Sequence, residues 1–164
     1  MTVNNLEELF EHELEDIYYA EHEIVDALED LENQVEHDDI KQAFRDHREQ
    51  TQGHIERLEE VFDMLSEPPE EEECEAIQGI IAEQKEFAEQ DPDQEVLDVF
   101  NVTAAQKVEH YEIAAYGNLA MLADRLGMDE AGDILHENLE EEEETLEKLK
   151  DLAESFNYQQ IAAD

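Results

Sequence analysis

The stretch AQKVEHYEIAAYG (residues 105–117) reads as the middle of a long helix, yet it sets Gln106, Glu109, His110 and Glu112 among apolar neighbours. Polar side chains on a buried stripe are costly unless something satisfies them. Followed outward, the stripe is Val99, Val102, Gln106, Glu109, Ile113, Tyr116, Ala120 and Ala123. Its gaps alternate between four and three, the spacing of a helix face packed against other helices. Three further stretches repeat it. One is Phe10, Leu14, Ile17, Glu21, Ile24, Leu28, Leu31, Val35. Another is Ile40, Phe44, His47, Thr51, His54, Leu58, Val61, Leu65. The last is Ala131, Leu135, Asn138, Glu142, Thr145, Leu149, Leu152, Phe156. No strand-like alternation competes with them.

The breaks between stripes fix the topology. Asn5 with Glu8 makes a capping-box-like start, and the first helix runs to about Gln34. EHDD (36–39) is a short acidic turn, and the second helix runs from about Asp39 to Leu65, stopping at SEPPEEEE. A shorter helix covers 74–90. In DPDQ (91–94), Asp91 is predicted as cap and Pro92 as first helical residue of the next long helix, which Gly127 ends in a left-handed turn. Asp129 opens the last helix, which ends near Ser155. Short turns make each outer pair an antiparallel hairpin. The connection of roughly 25 residues between the hairpins is longer than an up-down-up-down bundle needs. The prediction is all-α: a single domain over 1–164, a ferritin-like four-helix bundle with a short extra helix in the crossover, and a frayed tail at 155–164.

Composition limits what such a bundle does. Of 164 residues, 50 are Asp or Glu and 9 are Lys or Arg, for a formal charge of −41. Acids so dense and so evenly spread predict a halophilic protein, its self-repulsion screened by a salt-loaded cytoplasm. Nucleic acid is excluded as a partner for want of a basic patch. The N-terminal MTVNNLEELFEHEL lacks a basic and then apolar signal segment. The most apolar stretch, 113–123, is too short for a bilayer. A lone Cys74 allows no intrachain disulfide, in keeping with a cytoplasmic location, and reads as a small buried hydrophobe.

Each stripe is interrupted near its helix's midpoint, at Glu21, at His47 and His54, at Gln106 and Glu109, and at Asn138 and Glu142. Helices of similar length packed side by side bring these breaks to one level. Three carboxylates in one buried layer need a counter-charge, and no Lys or Arg occupies a stripe position. Divalent metal held by carboxylate and imidazole answers this, and two ions suit the number of acids better than one. Iron or manganese is the expected cofactor. The competing reading keeps shared protons among the acids and hydrogen bonds to His47, His54 and Gln106. His47 and His54 stand about 10 Å apart along the axis, too far to share one ion. Glu112 lies one turn beyond Glu109 at ligand-like spacing. Glu141 competes with Glu142 for the inward direction, and Gln50 borders the layer. His110 is expected at a helix–helix boundary, His12, His22, His37 and His136 at the surface, and Tyr116 as a packing residue near the layer.

The opening stretch, DIYYAEHE on the first helix, the Phe44–Glu59 pattern FxxHxxxTxGxIERLE, CEAIQGI from Cys74 and LxEE from Leu139 together resemble the YciF/YciE-type ferritin-like stress proteins. The resemblance implies a ferritin-like bundle, a homodimer, a dinuclear site and a link to stress, without a settled reaction. Glu21, His47, Glu109, Glu112, Glu141 and Glu142 fall at matching positions. Gln50 stands where the family has a second acid, and His54 where it often has Gln. The Glu-x-x-His of ferritins is absent, since Thr145 follows Glu142 at that spacing. The leading expectation is a di-iron or di-manganese stress protein acting on peroxide or oxygen. No catalytic residue is assigned, and peroxidase, catalase and oxidase chemistry all fit. The alternative is a non-catalytic bundle working by dimerisation or protein contact without metal. A storage cage is a third reading, and direct DNA protection is disfavoured by charge.

Overall fold

The computed structural model describes residues 3–162. These form α1 (Leu6–Gln34), α2 (Asp38–Leu65), α3 (Glu75–Ala88), α4 (Gln94–Leu126), α5 (Asp129–Ser155) and α6 (Tyr158–Ile161), with no β-strand among the described residues. At the start of α1 the Asn5 side chain accepts from the Glu8 N–H at 2.9 Å, and Glu8 reaches back to the Asn4 N–H at 2.7 Å. Gly127 ends α4 at φ 72°, as its position predicts, while the non-glycine Ser66 takes the same left-handed role after α2.

Helices α1 and α2 pack as one hairpin, α4 and α5 as the other, and α1 meets α4 while α2 meets α5. Paired contacts set the directions. Arg57, His54 and Gln50 of α2 reach Asn138, Glu141 and Thr145 of α5 in turn, so the two helices run antiparallel. On the other side Gln34 meets Asn101 and Glu21 meets Tyr116, so α1 and α4 are antiparallel too. The crossover must therefore travel the bundle's full length, and α3 lies in it against α4 and α1. Its acidic lead-in is pinned by Glu72 N–H to the Glu15 carbonyl (3.3 Å), and α3 itself by Gln78 donating to the Tyr19 hydroxyl (2.5 Å). Cys74 is buried as expected and also caps α3, its sulfur 3.2 Å from the Tyr111 hydroxyl.

Two expectations change. The start of α4 is Gln94, not Pro92. Asp91 sits at φ 54° with its N–H on the Ala88 carbonyl, so it closes α3 and leaves Asp93 at the N-cap. The α4 stripe is also broader than one seam. Val99, Gln106 and Ile113 are only half-buried, whereas Asn101, Ala105, Glu112, Leu119 and Leu122 are buried. Helix α3 covers a second face of α4, so burial there follows three neighbours, α1, α3 and α5, rather than two.

Candidate metal centre

The stripes of α1, α2, α4 and α5 converge halfway along the bundle. Glu21, His47, His54, Glu109, Glu112 and Glu142 all lie there, buried. Core residues one or two turns away on each helix, such as Ile17, Ile24, Leu58, Tyr116 and Leu135, are buried. The packing that holds them holds the polar layer between them.

The layer divides into two groups that share Glu142. In one, ligand-type atoms of His47, Glu109, Glu112 and Glu142 fall within 4.8 Å of one another. In the other, those of Glu21, His54 and Glu142 do the same. His47 Nε2 stands 3.1 Å from Glu109 Oε1 and 3.4 Å from Glu142 Oε2. His54 Nδ1 stands 2.8 Å from Glu142 Oε1 and 3.3 Å from Glu21 Oε1. These are ion-pair approaches without hydrogen-bond alignment. Both oxygens of Glu109, Glu112 and Glu142, one of Glu21, both nitrogens of His47 and Nδ1 of His54 have no hydrogen-bond partner. Buried polar atoms are paired in the large majority of cases. So many orphans in one place, all of ligand type, fit the carboxylate and imidazole coordination of a divalent cation. These buried His and Glu groups can hold metal, and their count and division suit two ions.

Charge agrees with geometry. Burial, then the charge of Glu142, raises the Glu109 carboxyl well above its ordinary value. Burial raises Glu112 likewise, followed by the charges of Glu142, Glu21 and Glu109. Burial pushes His54 down, but the Glu142 and Glu21 carboxylates outweigh it and carry the imidazole up to about 10. Burial also opposes ionisation of Glu142, and His47 and His54 overcome it, holding that carboxyl well below the ordinary range. Without metal, burial and mutual repulsion thus favour the protonated forms of Glu109, Glu112 and His54. Cation binding would displace those protons.

An outer ring orients the inner one. His54 Nε2 lies 2.7 Å from Glu141, and Glu141 takes a two-pronged contact from Arg57 at 2.9 Å on each arm. That outer bond directs Nδ1 inward, the tautomer-setting role common beside metals. Arg57 also donates to Asn138 Oδ1 at 2.8 Å. The Tyr116 hydroxyl donates a short hydrogen bond to Glu21 Oε1. Burial, with Glu21 adding to it, raises the Tyr116 hydroxyl well above its ordinary value.

The predicted residues separate cleanly. Glu21, His47, His54, Glu109, Glu112 and Glu142 come together, with each histidine in a different group, as their spacing requires. Glu141 does not join them: it faces outward, 27% exposed, against Arg57 and His54. Gln50 borders the layer, where its carbonyl accepts from Thr145 at 2.8 Å. Gln106 is only half-buried, donating to the Leu149 carbonyl at 3.3 Å. His110 is exposed, not at a helix boundary, because it projects from the α4 face that neither α1, α3 nor α5 covers. Arg57 was not anticipated. Its signal was its place one turn after His54 on α2, which only the antiparallel α5 contact turns toward Glu141.

A family profile, described as a domain of unknown function, DUF892, matches residues 5–162. The chain is 43% identical over 154 residues to protein YciF of Escherichia coli K12, with 93% of each chain covered. It is similar to the crystal structure of the E. coli stress protein YciF at TM-score 0.88 and 42% identity, over 92% of this chain and 96% of that one. It is similar to YcfI of Rhodopseudomonas palustris at TM-score 0.88 and 43% identity, over 90% and 94% of the two chains. These likenesses bear out the resemblance that the sequence motifs carry.

Proposed function

The chain belongs to the DUF892 family, and from that premise we propose that it is a ferritin-like stress metalloprotein binding two iron or manganese ions in its core. Glu21 and His54 would hold one ion, His47, Glu109 and Glu112 the other, and Glu142 would bridge them. The observation that carries this is the set of buried, unpartnered carboxylate and imidazole atoms at the bundle's centre. Redox-active metal bound there would exchange electrons with peroxide or oxygen. The chain's own part is positional. Tyr116 fixes Glu21, Arg57 and Glu141 fix the His54 tautomer, and the apolar residues above and below keep bulk water from the layer.

The same reading takes the protein as a cytoplasmic homodimer with no nucleic-acid partner, and takes the −41 charge as an adaptation to high salt. No helix among the described residues is long and apolar enough to cross a membrane. Elemental analysis of protein purified without chelator, supplied with iron or manganese, tests the proposal. About two transition-metal ions per chain are expected, with a melting temperature that rises on loading. Fewer than one, and no rise, would favour the non-catalytic bundle whose core is neutralised by protons. Light scattering tests the dimer, and a 12- or 24-subunit shell would point to a cage.

A further inference from the structure

Two openings reach His47, and they differ in the charge they present. One is a small, mainly apolar cavity of about 30 Å³ beneath α3, walled by Ile24, Leu28, Ile80, Ala105 and Val108, with Gln84 and the opposed charges of Asp30 and Lys85 also on its lining. The other is a groove of about 550 Å³ between α2 and α5. Exposed Asp39, Asp46 and Asp151 line it together with Lys148. Further in, the Gln50–Thr145 hydrogen bond crosses from α2 to α5, and His47 stands at the inner end. His47 is 4% exposed and neither of its ring nitrogens has a hydrogen-bond partner.

A hydrated divalent cation cannot shed its water along apolar walls, since an unpaired charge in such surroundings is very costly. The small cavity therefore does not serve it. The groove offers three carboxylates against one ammonium at its mouth, polar amide and hydroxyl groups along the way, and an unpartnered imidazole at the end. Fields focused by such a cleft raise the encounter rate of an oppositely charged ligand.

We propose that the α2–α5 groove is the entry route for cations to the core, with Asp39, Asp46 and Asp151 as its acidic mouth and the Gln50–Thr145 bond as a latch across it. The route rests on the metal-binding reading given above. None of these five residues belongs to the proposed ligand set, so they govern how fast metal arrives and not how much is held.

Stopped-flow uptake of cobalt(II), followed by its visible absorption band, separates the two claims. At low ionic strength the Asp46→Asn/Asp151→Asn pair should slow uptake about three- to tenfold, and Lys148→Glu should speed it, with both differences fading near 1 M salt. Thr145→Val, which removes the latch donor, should speed uptake at any salt. The final cobalt stoichiometry should match wild type in all three, and Val108→Met, which narrows the apolar cavity, should leave the rate unchanged. Normal stoichiometry with wild-type rates in the groove variants, or slowing by Val108→Met instead, overturns the route alone. Absence of a cobalt band in wild type removes the metal reading, and the route with it.

Discussion

Two polar clusters are buried in this bundle, and they solve the same problem in opposite ways. Near the end where α1 stops and α4 begins, Gln84 donates to Gln34 Oε1 at 2.9 Å and to Asn101 Oδ1 at 2.8 Å. Gln94 donates to the Gln34 carbonyl at 2.8 Å and to Asp98 at 2.7 Å. Donors and acceptors alternate, and the cluster closes on itself. Halfway along the bundle the side chains are acids and imidazoles, mostly acceptors, and they do not close. Amides carry both halves of a hydrogen bond, whereas ionised carboxylates carry only one. The first cluster is a structural joint complete in itself. The second is complete only with something added, a proton or a cation.

The sharpest way to break this contrast is to take away what the centre is proposed to hold. Chelator-stripped protein should lose about 2.7 kcal/mol for each ion held, relative to protein at a hundredfold excess of metal over Kd. For a chain of this length that is a fall of about 5–10 °C in melting temperature per ion. Glu142→Gln, which alters the carboxylate common to both groups, should reduce bound metal from about two ions to fewer than one and remove most of the metal-dependent rise. Calorimetry with elemental analysis checks both. A Gln84 variant should keep the full rise. If Glu142→Gln does so too, the two clusters do not differ in kind.

Apolar replacement should then act with opposite sign at the two places. Gln84→Leu takes the donor from Asn101 Oδ1 and should cost about 1–3 kcal/mol with or without metal. Glu112→Leu takes away a fully buried, unpartnered carboxyl and should raise the stability of the metal-free protein by about 1 kcal/mol or more. It should weaken metal binding at the same time. Urea unfolding of both variants, stripped and loaded, reads the signs directly. A loss of metal-free stability in Glu112→Leu as large as that in Gln84→Leu would mean that the acid layer is satisfied internally after all.

The centre was more legible in the sequence than the joint. Glu21, His47, His54, Glu109 and Glu142 stand on heptad-like seams, where a polar residue is conspicuous because its neighbours at four and three are apolar. Periodicity reports burial against one pair of neighbours, and it fails where there are three. Asn101 lies off the α4 seam and is buried where Gln84 of α3 meets it, while Glu112, also off that seam, is buried because the α4 core face is wider than one seam and takes in the central layer. Gln84, on a short helix of mixed pattern, gave no sign of its two partners. Arg57 reads as an ordinary surface charge and Glu141 as a rival to Glu142 for the inward direction, since pairing between α2 and α5 depends on a register that a crossover of this length leaves open. The start of α4 differs from the sequence expectation because DPDQ carries a cap signal at Asp91 and another at Asp93, and the left-handed turn at Asp91 selects the second.

Acidity separates the clusters more gently. Glu109 and Glu112 have folded-state values raised well above 4.5 by burial, and His54 is raised to about 10. A raised group contributes stability that is full below its unfolded value and is lost as pH rises through its folded value. Metal-free protein should therefore melt a few degrees lower at pH 9 than at pH 6. Glu142 works the other way, being depressed, so stability should also fall on acidification below about 4.5. Metal fixes the ionised carboxylates and neutral imidazoles, so loaded protein should show little of the decline between pH 6 and 9. A metal-free melting curve flat across that range would contradict the protonation pattern of the layer.

The smallest effect belongs to acids that water and salt already serve. Glu15 lies beneath the acidic crossover, whose Glu72 N–H meets the Glu15 carbonyl at 3.3 Å. Partial burial, then the charges of Glu70 and Glu72, raises the Glu15 carboxyl above 4.5. By the same sign rule its contribution is full below 4.5 and is lost above the raised value, so at neutrality it opposes folding. The group is mostly solvated, and solvent screening reduces the effect to a few tenths of a kcal/mol. Glu15→Gln should raise the melting temperature by about 1 °C at low salt and by nothing measurable near 1 M salt, where charges this far apart no longer sense each other. Salt should not relieve Glu109 or Glu112 in the same way, because both are fully buried and the ion atmosphere screens exposed charges far more than buried ones. A variant of Glu112 whose metal-free stabilisation vanished in salt, as that of Glu15→Gln should, would place the centre in contact with solvent.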